Sequence, residues 1–309
     1  MKALMRGCAT LLSLVSLLIC PTLSPQTAAQ APSGVETKSI ALGLVSAVNQ
    51  KEIEGHFSDF VRYVSRRLFA QPNDQGVVLV AATVPDLAKL LGERKVDFFM
   101  ESPYPTYVIN NVHGAATLLL RRWKGGKAEY RSLIATNKAG GTNRLQDLRG
   151  KIIAFEDPES TSGYFLPKLF LQRNGFKLTQ VSTLSANIPP AEVGYIFAKT
   201  QDTLIDWVLK KQVAAGTFSD DDYAMLDEKR KADLNVLAQT ELLPRHLVSV
   251  RKDLAPDLIE RLSQILRAMH ENDEGQKILR GADNTMKFDL LPGGEEAMRR
   301  RLLETFHRP

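Results

Sequence analysis

The chain has 309 residues, 24% of them charged and 44% hydrophobic, and a formal net charge of +5. Its two cysteines, Cys8 and Cys20, both lie in the first 20 positions. Everything beyond them is barred from disulfides, thiolate metal sites and cysteine nucleophiles. Basic and acidic residues are interspersed along the sequence, which gives nucleic-acid binding no support.

Lys2 and Arg6 precede a short apolar run, Leu11–Ile19, and a small, polar stretch ends in Ala29-Gln30-Ala31. This order is that of a secretory signal peptide over residues 1–31, cleaved after Ala31. The apolar run falls well short of the roughly 18 residues needed to span a bilayer. Lipid anchoring through Cys20 is disfavoured because Ile19 is branched and bulky where a small residue is wanted. Loss of the leader removes Lys2 and Arg6 and lowers the net charge from +5 to +3. The remaining roughly 280 residues can bury a large core and divide into two units.

Ser39–Val45 reads as a strand. Lys51–Phe69 follows as a helix with one apolar stripe: Ile53, Phe57, Phe60, Val61, Val64 and Leu68. Gly76–Ala82 is a second strand, Val84–Leu91 a short helix with Pro85 near its start, and Lys95–Met100 a third strand. This βαβαβ order favours a parallel sheet with helices on both faces. Ligands of such sheets bind beyond the carboxyl ends of the strands. There lie Ser46–Gln50 with Asn49, Thr83, and Glu101-Ser102-Pro103-Tyr104. Arg121-Arg122 reads as a solvated turn.

A second set begins with strand Tyr130–Thr136 and a helical turn at Leu145–Leu148. Strand Lys151–Glu156 then runs through Asp157-Pro158-Glu159 into Ser160-Thr161-Ser162, where a helix opens that stops near Asn174-Gly175. Gln180–Leu184 suggests a strand, Asp202–Lys211 a helix, Val213–Phe218 and Leu234–Gln239 strands, and Asp257–Glu271 and Gly294–Phe306 helices. The domain expectation is one lobe from 37–129 and 244–309, with a second lobe, 130–243, inserted. The hinge would be two crossings, near Tyr130–Asn137 and Leu237–Leu243.

Ser160, Thr161 and Ser162 are the most informative residues. Free N–H groups and the positive end of the helix dipole meet at a helix start, and three hydroxyls there make a cradle for an anion. A plain N-cap needs only one hydroxyl. Pro167, within the first two turns, makes that start irregular. Glu101, Asp157 and Glu159 nearby raise the idea of a zwitterionic ligand with an amine beside its anionic group.

The stretch LQDLRGKIIAFEDPESTSGY, residues 145–164, with Pro167, resembles the PhnD-like family of phosphate-, phosphite- and phosphonate-binding periplasmic proteins. Lys95-Val96-Asp97-Phe98, Ser102-Pro103, Tyr130-Arg131-Ser132 and Pro244 add weaker matches. The resemblance implies an α/β, two-lobed type II periplasmic-binding-protein fold, with mostly parallel sheets flanked by helices. It also implies a monomer that passes a small anion to the inner-membrane permease of an ABC importer. It carries over to Ser160, Thr161 and Ser162 as the holders of the phosphonate or phosphate group. Gln201, Asp202 and Thr217 fall on the same rim by this likeness. Two departures are Gln201, where many members have His, and Ala214, where many have Asp.

The candidate ligand set is therefore Ser160, Thr161, Ser162, Ser102, Tyr104, Glu101, Asn49, Gln201, Asp202 and Thr217. The five histidines are scattered and none sits in an H-E-x-x-H pattern, so no metal or other cofactor is expected. There is no G-x-S-x-G elbow and no phosphate-binding GK[ST] loop. The expected role is capture without catalysis. The alternatives are a ligand-sensing subunit for a membrane histidine kinase, or an enzyme of the same two-lobed fold acting on a phosphorylated or phosphonate compound.

Overall fold

The computed structural model describes residues 39–70 and 75–307. The leader expectation, 1–31 with Cys20, lies outside them. Lys38–Pro309 forms one compact unit. The first half runs β1 (Ala41–Val45), α1 (Gln50–Phe69), β2 (Val77–Ala81), α2 (Val84–Gly92), β3 (Phe98–Glu101), α3 (Pro103–Tyr107) and β4 (Ala116–Lys124). The middle runs β5 (Glu129–Tyr130), β6 (Ser132–Asn137), β7 (Ile152–Phe155), α4 (Leu166–Arg173), β8 (Lys177–Gln180), β9 (Glu192–Phe197), α5 (Gln201–Leu209) and β10 (Ala215–Ser219). The remainder is α6 (Asp220–Met225), α7 (Glu228–Asp233), β11 (Leu234–Gln239), β12 (Leu243–Pro244), β13 (His246–Arg251), α8 (Pro256–Ala268), α9 (Asp273–Gly281), β14 (Thr285–Leu290) and α10 (Gly294–Phe306).

Two six-stranded sheets form, in the orders β14-β4-β13-β3-β1-β2 and β11-β6-β10-β7-β9-β8. The chain passes between them at the short antiparallel pair β5 and β12. Each sheet is mixed: in the first, β1, β2 and β3 are parallel, whereas β13, β4 and β14 add antiparallel partners. In the second sheet β7, β8, β9 and β10 are parallel, and β6 and β11 are antiparallel.

The apolar stripe of α1 does what its spacing predicts. Phe57, Phe60, Val61, Val64 and Leu68 are buried, with Ile53 packed at the margin. They join Leu42, Phe98 and Leu262 in one core, and truncating a ring such as Phe60 would cost about 3–5 kcal/mol. Gly43 sits where β1 meets α2. A Cβ there would lie 2.5 Å from Leu87 Cδ1 and 2.8 Å from a Val96 methyl.

Several elements differ from expectation. The third strand starts at Phe98, because Arg94 adopts a positive φ and Lys95–Asp97 complete the turn out of α2. The strand expected at Gln180–Leu184 is Lys177–Gln180. β4, β9 and β14 are strands that the local sequence pattern does not announce. In β4 the Arg121-Arg122 pair suggested a solvated turn, yet Arg122 is 1% exposed. Its guanidinium donates to Thr285 Oγ1 and the Ala282 carbonyl and pairs with Asp283. Arg121 pairs with Asp289 through two nitrogens, at 3.0 and 2.7 Å. These paired cations hold the edge strand β14 against β4.

The parallel strands of the first sheet end at Val45, Ala81 and Glu101, and those of the second at Phe155, Phe197 and Ser219. Glu101 Oε1 accepts the Val45 amide at 2.7 Å, so this carboxylate ties the ends of β1 and β3 together. Burial raises its pKa to about 7, partly countered by the amides of Val45 and Ser102.

Gly43→Ala should destabilise the fold by about 1–3 kcal/mol through overpacking, read as a lower urea midpoint with an unchanged slope. The folded chain holds the Glu101 proton at a pH where the unfolded chain has lost it. Its contribution to stability is therefore present below about 4.5 and lost as pH rises to about 7. Urea titrations of wild type and Glu101→Gln should show a stability difference that drifts against the wild type across that window and is flat above it.

Candidate functional site

β7 is fully buried, and the chain leaves it through Glu156-Asp157-Pro158-Glu159. Ser160 then caps the next helix: its Oγ accepts the Gly163 amide at 2.9 Å and donates to Glu156 Oε2 at 2.9 Å. Thr161–Phe165 is a π-helical turn that runs directly into α4. Pro167 explains why other groups fill in here. It has no N–H for the Gly163 carbonyl four residues back. That carbonyl is taken by Thr217 Oγ1 at 2.8 Å and the Glu156 amide at 3.1 Å. The Leu166 amide reaches back to Thr161, so the Ser162 carbonyl is free to accept Ser132 Oγ at 2.6 Å. Gly163 is required by the close approach. A Cβ there would stand 2.5 Å from Glu156 Cβ and Oε2.

The turn is thus fastened from behind by β6 and β10, and its other side meets the first sheet. Thr161 Oγ1 lies 2.9 Å from Ser102 Oγ and accepts the Tyr104 amide at 2.9 Å. The Tyr104 ring stacks on Phe165 at an interplanar angle of 18°. Glu159 Oε1 accepts the Val84 amide at the start of α2, at 3.1 Å. Burial raises the Glu159 pKa, with Asp157 and Asp86 adding to the shift and the Val84 bond opposing it. Helix geometry leaves the amides of Thr161 and Ser162, at the first two positions, without intrahelical acceptors.

Tyr130 and Arg245 complete the surroundings, and neither was singled out as a ligand residue from the sequence. Tyr130 is 1% exposed. Burial pushes its hydroxyl up to about 12, with hydrogen bonding to Thr161 and Ser162 pulling the other way. The Arg245 guanidinium lies 4.5 Å from the centre of the Tyr130 ring and 2.7 Å from Asp221 Oδ2. Burial opposes its charge, but Tyr130, Asp221 and Asp222 outweigh that and hold its pKa above the usual value. The signal available in the sequence was position: Tyr130 lies in the short crossing strand β5 and Arg245 directly follows β12.

The ten expected residues divide. Thr161, Ser162, Ser102 and Tyr104 come together at one point. Ser160, Thr217 and Glu101 lie beside it, but their polar atoms support the scaffold by capping the helix, holding the Gly163 carbonyl and tying Val45. Gln201 begins α5 on the same rim, after a loop whose Ala198 and Lys199 amides bond the Phe155 and Glu156 carbonyls. Both polar atoms of its amide are buried without a partner. Asp202 is exposed, and Thr200, not Asp202, caps α5 by accepting the Thr203 amide. Asn49 is exposed at a positive φ before α1, with no contact to the turn recorded. Ala214 precedes β10 and so lies at the opposite end of that strand from the rim, where Asp220–Asp222 stand instead.

The profile of a family described as "ABC transporter, phosphonate, periplasmic substrate-binding protein" matches residues 42–291. The phosphate-import protein PhnD of Mycolicibacterium smegmatis is 26% identical over 242 residues, which cover 73% of this chain and 70% of that protein. XAC2383 from Xanthomonas citri, solved bound to ATP, superposes with a TM-score of 0.77 at 25% identity, covering 87% of this chain and 96% of that one. PhnD1 from Prochlorococcus marinus, solved with methylphosphonate, gives a TM-score of 0.64 at 15% identity, covering 88% and 100%. The fold is that of the type II periplasmic binding proteins, as the resemblance implied. With its two mixed sheets joined at a short crossing and its hydroxyl-lined helix start, the chain belongs to the periplasmic substrate-binding protein family of phosphonate ABC transporters.

Proposed function

We propose that this protein captures a small phosphonate- or phosphate-like anion at the Thr161–Ser162 helix start and hands it to an inner-membrane permease without altering it. One observation carries the reading. The Thr161 hydroxyl stands at a helix start and is met by Ser102 Oγ and the Tyr104 N–H from the other sheet. Hydroxyls and amides converging from two bodies form an acceptor-poor, donor-rich spot suited to an oxyanion. The buried amide of Gln201 would serve the ligand as well, its unpartnered Nε2 donating to the anion.

On this reading the units 37–129 with 244–309 and 130–243 act as lobes and move about the β5–β12 crossing. The bonds from Thr161 to Ser102 and Tyr104 and from Glu159 to Val84 then belong to the shut state and set its population. The amine-bearing ligand suggested by nearby acids gains no support. Glu101, Glu159 and Asp157 each accept a backbone amide. We take the ligand to be a simple anion, the protein to act as a monomer, and the leader to direct it to the periplasm.

Thr161→Val should weaken binding of methylphosphonate or inorganic phosphate by about tenfold or more in calorimetric titration, since each lost charge-assisted hydrogen bond is worth roughly 1.5–3 kcal/mol. Unchanged affinity in that variant and in Ser102→Ala would refute the site. So would a melting temperature raised only by cations or neutral solutes. Glu159→Ala removes a bond made only across the two sheets, so ligand should dissociate severalfold faster in stopped-flow measurements.

A further inference from the structure

We propose a second anion site at the far pole of the inserted sheet, opening where β7 and β10 begin and α5 ends. A cavity of about 320 Å³ lies there, lined by Thr142, Lys151, Ile152, Ile188, Lys211 and Val213 among others. This is within the size range of small-ligand pockets. It stands at the opposite end of β7 from the hydroxyl turn, because Ile152 opens that strand and Phe155 closes it.

The charged groups around this cavity are ammonium donors, and its neutral polar side chains are Thr142, Asn137 and Gln212, with the Asn137 oxygen already accepting the Ala139 amide. Lys151 is half-buried, and its ammonium gives one of three hydrogens to Thr142 Oγ1 at 2.8 Å. Thr142 is 2% exposed, so its hydroxyl proton has no bulk water to reach. Lys211 and Gln212 add an ammonium and an amide at the mouth. No aspartate or glutamate lines the cavity. Among the described residues no carboxylate lies within ion-pair distance of Lys151 or Lys211, while neighbouring Lys210 is paired with Asp206. Burying part of an ammonium without a counter-ion is costly, and a bound anion removes that cost. Ile152, Leu184, Ile188 and Val213 supply an apolar wall. The ligand class is therefore a small organic anion with a short apolar tail, its charged end between Lys151, Lys211 and the Thr142 hydroxyl.

Titrating ¹⁵N-labelled protein with butyrate tests this. The amides of Thr142, Lys151, Gln212 and Val213 should shift saturably, and butylammonium should leave them in place. Lys151→Met should weaken the butyrate response by about tenfold. Lys211→Met, at an exposed position, should weaken it in the same direction and serves if the first variant folds poorly. No saturable shift at these amides, equal affinity in the folded variants, or an equal response to butylammonium would overturn the site.

Discussion

Pro167 has no hydrogen to give the carbonyl of Gly163, and the arrangement of the candidate site follows from that. Were the helix regular, Ser162 and Gly163 would spend their carbonyls within it. Instead they are claimed by Ser132 from β6, Thr217 from β10 and the Glu156 amide. The helix start is thereby fixed at three points, to β6, to β10 and to the residue that follows β7. On the proposed reading, a donor array held this way need not reorganise when an anion arrives, and pre-organisation of that kind cuts the cost of binding.

The same corner is where the two sheets meet. Thr161 bonds Ser102 and Tyr104, and Glu159 caps α2 from across the gap. Around these polar contacts lies an aromatic set, Tyr104 and Tyr107 from α3, Phe165 from the π-helical turn and Phe306 from α10. α10 also reaches the crossing itself. Arg301 donates to Glu129 Oε1 of β5 and to the Leu242 carbonyl just before β12. The terminal helix thus braces the two strands through which any relative motion of the sheets must pass. Arg173 of α4 donates to the Thr305 carbonyl and extends that brace to the second sheet.

Period and punctuation made much of this legible. The α1 stripe, the β1-α1-β2-α2-β3 order and the strand-to-hydroxyl-turn transition could be read because each rests on local pattern. β4, β9 and β14 could not. Arg121 and Arg122 read as solvent-facing until Asp289, Asp283 and Thr285, more than 160 positions away, are placed against them. A buried cation is tolerable only beside its partner, and the partner's position is a tertiary fact. The same holds for Ser160, Glu101 and Thr217. Residue type and position made Ser160 and Glu101 plausible ligand contacts, the family resemblance did so for Thr217, and the fold gave each a backbone group to hold.

Taken alone, the sequence determined the family and the type II fold, because the motif at residues 145–164 with Pro167 is local, and it marked the hydroxyl turn after β7 as the candidate anion site. Tertiary structure decided which hydroxyl meets the opposite sheet, that Tyr130 and Arg245 stand behind it, and that the acids of the rim are bound to amides. It also separated Ala214 from that rim and placed Lys151 and Lys211 around one cavity. Those outcomes depend on which side chains from distant segments share a few ångströms, and hydrogen bonds and ion pairs act only over that range.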